Sequence, residues 1–250
     1  MKIVWQVYSN DIIKVKKFVE LHRNNPFVQQ RIQRNLADKK AIISLDEFWF
    51  AMVSCLLTTQ QRSGPDTPVS HFILTKPFPL SYALCKSQDV LYDFAHETLT
   101  NFGGIRRTNR LSKEIATNFS ALQQSLWDRT CDVLEELRAN LDAQKERKSA
   151  EFIDEHFMGF GPKQSRNLLQ TLGLTRFEIP IDSRITKWLN EFGFPVTLSA
   201  SALSDRNYYN FVSDGIQQLC EQSDVYPCVF DAVIFSSYDG DKWVEEDLIW

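Results

Sequence analysis

Lys163 and Asp182 are the residues in this chain whose types and surroundings could do covalent chemistry. Gly159-Phe160-Gly161 comes just before the lysine, and Pro162 then opens an apolar-periodic run, Leu168, Leu169 and Leu172, that stops at Gly173. That spacing predicts a helix with proline at its start and glycine past its end, entered through a tight turn. Lys163 falls in the first helical turn, where the positive helix end disfavours a further cation and lowers the amine's pKa. A partly neutral lysine is a nucleophile. Asp182, after Pro180-Ile181, starts another periodic run (Ile185, Trp188, Leu189, Phe192) closed by Gly193. As its N-cap, the carboxylate is held fixed and ionised. Gly159 and Gly161 allow close approach of a partner to the backbone, and the unpaired N–H groups of the helix start suit an anion such as phosphate.

Each feature taken singly has a structural use. Glycine turns join many helices, lysines are mostly solvated, and aspartate is a common N-cap. The ordered set is what carries information, so the elements that must hold it matter. Upstream, Ser149 is expected to cap a short helix carrying Phe152, Ile153 and Phe157. Ser44-Leu45-Asp46-Glu47 reads as a capping box for a helix bearing Phe48, Trp49, Met52, Val53, Leu56 and Leu57 at helical spacing, the central buried helix of the chain. It runs into the polar ending Thr58-Thr59-Gln60-Gln61. Residues 11–23 (Ile12, Val15, Phe18, Val19) and the segment after Pro26 form structural helices. Residues 62–79 form a loop with short helical pieces, and Ser87 caps a helix with Val90, Leu91, Phe94, Thr98, Leu99 and Phe102 on one face. Val133, Leu134, Leu137 and Leu141 mark a further helix, with 144–148 as a solvated connection. Ser204 begins a core segment with Tyr208, Phe211, Val212 and Leu219, and the last helix spans Tyr226 to Phe235.

With 250 residues, 43% of them hydrophobic, the chain can bury one large core or two associated lobes. No apolar run reaches bilayer length and no signal-peptide pattern opens the chain, so a cytoplasmic, monomeric protein is expected. Five scattered cysteines argue against a disulfide framework. His22, His71, His96 and His156 lack the paired spacing of zinc sites, no phosphate-loop or dinucleotide fingerprint occurs, and no cofactor is expected. A net charge of −4 does not announce a nucleic-acid binder, but Arg106, Arg107, Arg110 and Lys113 form one basic cluster and Lys163, Arg166, Arg184 and Lys187 another.

The sequence of glycine hairpin, Lys163, a small residue at Ser165 and then aspartate in Pro180-Ile181-Asp182 resembles the helix-hairpin-helix DNA glycosylases, which include endonuclease III and 8-oxoguanine DNA glycosylase. The resemblance implies an all-α fold of two helical lobes, about 45–173 and about 1–44 plus 174–250, with the active cleft between them and double-stranded DNA as partner. It implies that Lys163 attacks the sugar C1′ as a base leaves, giving a Schiff base and β-elimination, while Asp182 steadies the oxocarbenium-like transition state. Gln60 matches the amide that enters the space left by the extruded nucleotide. Gly159 and Gly161 with Arg106, Arg107, Arg166 and Arg184 would meet the DNA backbone.

Phe235 would stack on the extruded base, and Asp231, four residues before it, would read its edge. Three departures bear on substrate choice. Asp231 stands where those enzymes have glutamine and accepts from the N1–H and N2–H₂ donors of a guanine-type lesion. Asn167 matches a cysteine, and its amide suits a hydroxylated or sugar-bearing base such as phage DNA carries. Arg184 replaces a histidine. Only Cys220 and Cys228 lie near the carboxy terminus, so the iron–sulfur cluster of the endonuclease III type is not expected. A monofunctional glycosylase that uses Asp182 with water and leaves the strand intact, and a non-catalytic DNA-binding hairpin, are the remaining alternatives.

Overall fold

The computed structural model describes residues 4–139, 142–239 and 243, and every regular element among them is helical. Helix α1 (Ser9–His22) leads to α2 (Pro26–Asn35), whose start combines Pro26 at the first position with Asn25 as cap, the Asn25 side chain accepting from the Phe27 N–H at 3.0 Å. The capping box of α3 (Leu45–Leu57) is formed: Ser44 Oγ accepts from the Glu47 N–H and Glu47 accepts from the Ser44 N–H at 2.8 Å. Phe48, Trp49 and every residue from Ala51 to Leu57 are buried, so α3 has almost no solvent face, and Trp49 satisfies its indole N–H on the Leu80 carbonyl at 2.8 Å.

Around it lie α4 (Pro68–Leu74), α5 (Tyr82–Lys86), α6 (Leu91–Phe102) and α7 (Thr108–Ala121), which passes through a π-helical turn at Leu122–Leu126 into α8 (Trp127–Ala139). Helices α9 (Ala143–His156) and α10 (Pro162–Thr171) complete the first hydrophobic core. A second core gathers Val15 of α1 with Ile179, Ile181, α11 (Ser183–Phe192), α12 (Arg206–Gln222) and α13 (Pro227–Ser237). A third, smaller cluster packs Val28 of α2 against Cys228, Val229, Ala232 and Val233 of α13.

Several local expectations are corrected. Ser87 caps nothing downstream; it ends α5, its hydroxyl donating to the Leu84 carbonyl, and α6 starts at Leu91 without a side-chain cap. Residues 144–148 are not a solvated connection. Asp142 caps α9 at the N–H groups of Gln144 and Lys145 (3.0 and 2.9 Å), which places Ser149 in mid-helix, buried, rather than at a helix start. The α12 cap is Asp205, one residue past Ser204. Leu141 lies outside the described residues.

The charged run was misread because one of its charges points inward. Glu146 is fully buried and accepts the backbone N–H groups of Arg176, Phe177 and Glu178, each at 2.8 Å, turning the chain from α10 toward α11. Burial pushes its carboxyl up to about 7, against those three donors. The folded state thus holds a proton between pH 4.5 and pH 7 that the unfolded chain releases, and stability falls as pH rises through that window, by about 3 kcal/mol in all. Urea midpoints measured from pH 5 to 8 should show this slope, and Glu146→Gln should flatten it.

Arg166 and Glu178 tie the two larger cores together. Both are buried, they form an ion pair, and the arginine also donates to the Pro162 carbonyl (3.0 Å) and to Asn210 (2.7 Å) while lying over the Tyr209 ring at 4.4 Å. Glu178 further accepts from Arg147, Ser213 and Gln217.

Candidate active-site cleft

A cleft of about 1560 Å³ runs between the first core and the other two, lined by α2, the end of α3, the start of α10, the start of α11 and the end of α13. Lys163 and Asp182 both line it. The hairpin before Lys163 is shaped by Gly159, whose φ of +88° belongs to the left-handed region and whose Cβ, if present, would stand 2.7 Å from Glu114 and from Leu56. Gly159→Ala should therefore cost about 1–3 kcal/mol and lower the melting temperature accordingly. Gly161 caps α10 in an extended conformation with open space where a side chain would be, so its backbone faces the cleft unobstructed.

The Lys163 amine donates to Gln164 Oε1 at 3.0 Å. Gln164 is buried and anchored to the end of α3, its amide N–H₂ donating to the Cys55 carbonyl at 2.6 Å and to Thr59. Asn167 joins the same group, donating to Gln164 Oε1 (3.2 Å) and to Cys55 Sγ (3.3 Å). Lys163 is thus positioned by an amide that α3 fixes. Burial lowers its pKa, with Arg184 adding to the effect and the carboxylates of Asp182 and Asp231 opposing it. The helix end named above as the cause is secondary to this loss of water. Cys55 beside it is an inert thiol, its pKa pushed up to about 12 by burial.

Asp182 caps α11, with Oδ1 accepting from the N–H groups of Arg184 (2.8 Å) and Ile185 (3.0 Å). Its Oδ2 is 3.7 Å from the Arg184 guanidinium. Arg184 in turn pairs with Asp239 at 3.2 Å and lies over the Phe235 ring, its guanidinium carbon 4.0 Å from the ring centre. Phe235 also stacks with Phe27 of α2, centroids 5.0 Å apart. Asp231, one helical turn earlier, is buried; its Oδ2 accepts from Arg31 of α2 at 2.8 Å and from Gln170 of α10 at 2.6 Å. Burial raises its pKa, partly offset by Arg31.

Ten of the twelve sequence-predicted site residues line the cleft: Gln60, Arg106, Gly159, Gly161, Lys163, Asn167, Asp182, Arg184, Asp231 and Phe235. Gln60 is exposed at φ +57°, just past the end of α3, and Arg106 is exposed with its N–H held by Gln61 at 2.9 Å. Arg107 and Arg166 do not line it, and Arg166 is a correction. Arg166 cannot meet DNA because its guanidinium is buried on Glu178. Arg107 instead braces the turn after α3, donating to the Thr59 carbonyl at 3.1 Å.

The sequence reading missed Arg31 and Arg34, which it left on a structural helix. Their three-residue spacing puts both on one face of α2, and that regularity was the available signal. Among the described residues, histidines, cysteines and carboxylates form no group suited to a metal ion, and no helix is long and apolar enough to cross a membrane.

The all-helical fold is one that a solved structure shares. In particular, the chain is similar to the crystal structure of the 8-oxoguanine DNA glycosylase of Thermotoga maritima, with a TM-score of 0.61 at 14% identity over 90% of this chain and 95% of that one. At that identity the likeness is one of fold. No family model matches the sequence, and no curated protein matches it.

Proposed function

We propose that this protein is a bifunctional DNA glycosylase and abasic-site lyase that extrudes a damaged or modified base from duplex DNA into the cleft. The observation that carries the reading is the placement of Lys163, whose amine pKa burial lowers, and of the helix cap Asp182 in one cleft beside the glycine hairpin. Neutral Lys163 attacks C1′; the new N–C1′ bond forms as the glycosidic bond breaks, and the base leaves carrying a proton. The sugar ring opens to a protonated Schiff base, loses a C2′ proton and expels the 3′ phosphate. In this reading Asp182 supplies the fixed negative charge that offsets the cation developing on the sugar. The backbone of the hairpin and the exposed Arg106 suit phosphate, and Gln60 suits the gap left in the duplex.

A guanine-type oxidised lesion is the first substrate of this reading, with the unengaged Oδ1 of Asp231 as acceptor for its donor edge. The second reading is removal of a hypermodified, sugar-bearing base from phage DNA as a defence. Asn167 favours it, since its side-chain oxygen makes no hydrogen bond among the described residues and stands ready for a hydroxyl.

The experiment is incubation with duplexes bearing oxidised guanine and with hypermodified phage DNA, followed by mass spectrometry of the released bases and borohydride trapping on an abasic duplex. Release from the first set supports repair and release from the second supports defence. Tight duplex binding with neither release nor trapping overturns the enzyme and leaves a DNA-binding hairpin.

A further inference from the structure

Most charges buried in the cleft are answered by an opposite one. Arg31 has Asp231 at 2.8 Å, Arg184 has Asp239 at 3.2 Å, and Lys163 feels the charge of Asp182 within the same cleft. Arg34 is the exception. Its guanidinium has one hydrogen bond, Nε to the neutral side chain of Asn35 at 3.2 Å, no carboxylate partner among the described residues, and a fully enclosed Nη1 with no acceptor at all. Burial and the neighbouring charge of Arg31 pull its pKa down to about 9, which still leaves a cation at neutral pH. A charge with an enclosed, unpaired nitrogen is a cost to the fold.

The chain is shaped to keep that charge in place. Gly173, at φ +75°, is where the Arg34 stem passes, and a Cβ there would stand 2.8 Å from Arg34 Cγ. The oxygen of Gln170, on the same wall, is likewise enclosed without a donor. On the glycosylase reading, the group that enters beside Arg34 is one carried in on an extruded nucleotide.

Resting on the glycosylase reading, we infer that Arg34 is a specificity-determining residue that selects an extruded base bearing an anionic oxygen group, of which a ring carboxylate is the simplest form. The surplus positive charge receives the carboxylate, while Asp231 accepts from a ring N–H or amino group on the same base, so one edge of the base is read by opposite charges. A neutral base of the same shape leaves Arg34 uncompensated and is the poorer substrate.

The test compares duplexes carrying 5-carboxycytosine with duplexes carrying its neutral 5-carboxamide and with 8-oxoguanine duplexes, using the full chain and Arg34→Met. Wild-type protein should release the carboxylated base at least about tenfold faster than the carboxamide, and Arg34→Met should lower that release about 100-fold while changing the neutral bases less than about threefold. The variant's melting temperature should stay level or rise, because the unpaired charge is gone. Equal release of charged and neutral bases by wild type overturns the inference, as does an equal loss for all bases with a lowered melting temperature, which marks Arg34 as structural. Borohydride trapping on an abasic duplex, run beside it, separates the two claims. Trapping without preference for the carboxylate sinks the role of Arg34 alone, whereas absence of both trapping and base release sinks the glycosylase reading and this inference with it.

Discussion

Lys163→Ala should yield a folded protein that still binds duplex DNA and forms no borohydride-stable adduct with an abasic site. The side chain's one hydrogen bond is to Gln164, which α3 holds independently through Cys55 and Thr59, so truncation leaves the surrounding packing in place. Removing an amine that burial already disfavours takes away a desolvation cost, and the urea midpoint should barely move. Base release should fall by at least about 10³-fold, the scale expected when a covalent nucleophile is lost. Because the Lys163 pKa is lowered, the acid limb of the wild-type rate profile should lie below the range of a free lysine, the reaction gaining rate as pH rises through the lowered value. An adduct that persists at wild-type yield in Lys163→Ala would assign the chemistry to another group.

Glu178→Ala should be the most destabilising single change in the chain. Glu178 Oε1 accepts from Arg147 (3.0 and 2.8 Å), Ser213 (3.1 Å) and Gln217 (2.9 Å), and Oε2 accepts from the buried Arg166. Its removal strands Arg166 between two apolar cores without a counter-charge, at a cost of about 3–5 kcal/mol. Arg166 also donates to the Pro162 carbonyl in the first turn of α10, so the position of Lys163 depends on this pair, and the fraction that remains folded should lose activity too. Denaturant titration checks the first effect. A Glu178→Leu, Arg166→Met double variant should recover most of the lost stability, since well-packed apolar replacements can match a buried ion pair. A cost below about 1 kcal/mol for Glu178→Ala would show that water reaches the pair.

The parts legible in the sequence were those written in local rules. The capping box at Ser44, proline at the start of α10 and the aspartate cap of α11 are each set by neighbours within four residues, and all three formed. Long-range pairings were not legible. Arg166 read as a surface cation because its partner Glu178 lies on the far side of a turn, and nothing local marks that turn as buried. The run 144–148 read as solvated because all five of its residues are polar or charged, and the groups that Glu146 and Arg147 serve lie about thirty residues on. Arg31 and Arg34 were passed over for the same reason: the residues that give them meaning sit on α10 and α13.

The link from Arg31 to Asp231 joins positions 200 residues apart in the chain. One wall of the pocket therefore cannot exist until nearly all of the polypeptide has emerged and α13 has docked on α2, whereas the hairpin and its amine belong to the middle of the chain. A ribosome-bound or clipped product that stops short of α13 would carry Lys163 without the wall that Asp231 and Phe235 build. Under the proposed function, such unfinished copies would be unable to act on DNA, a safeguard set by topology.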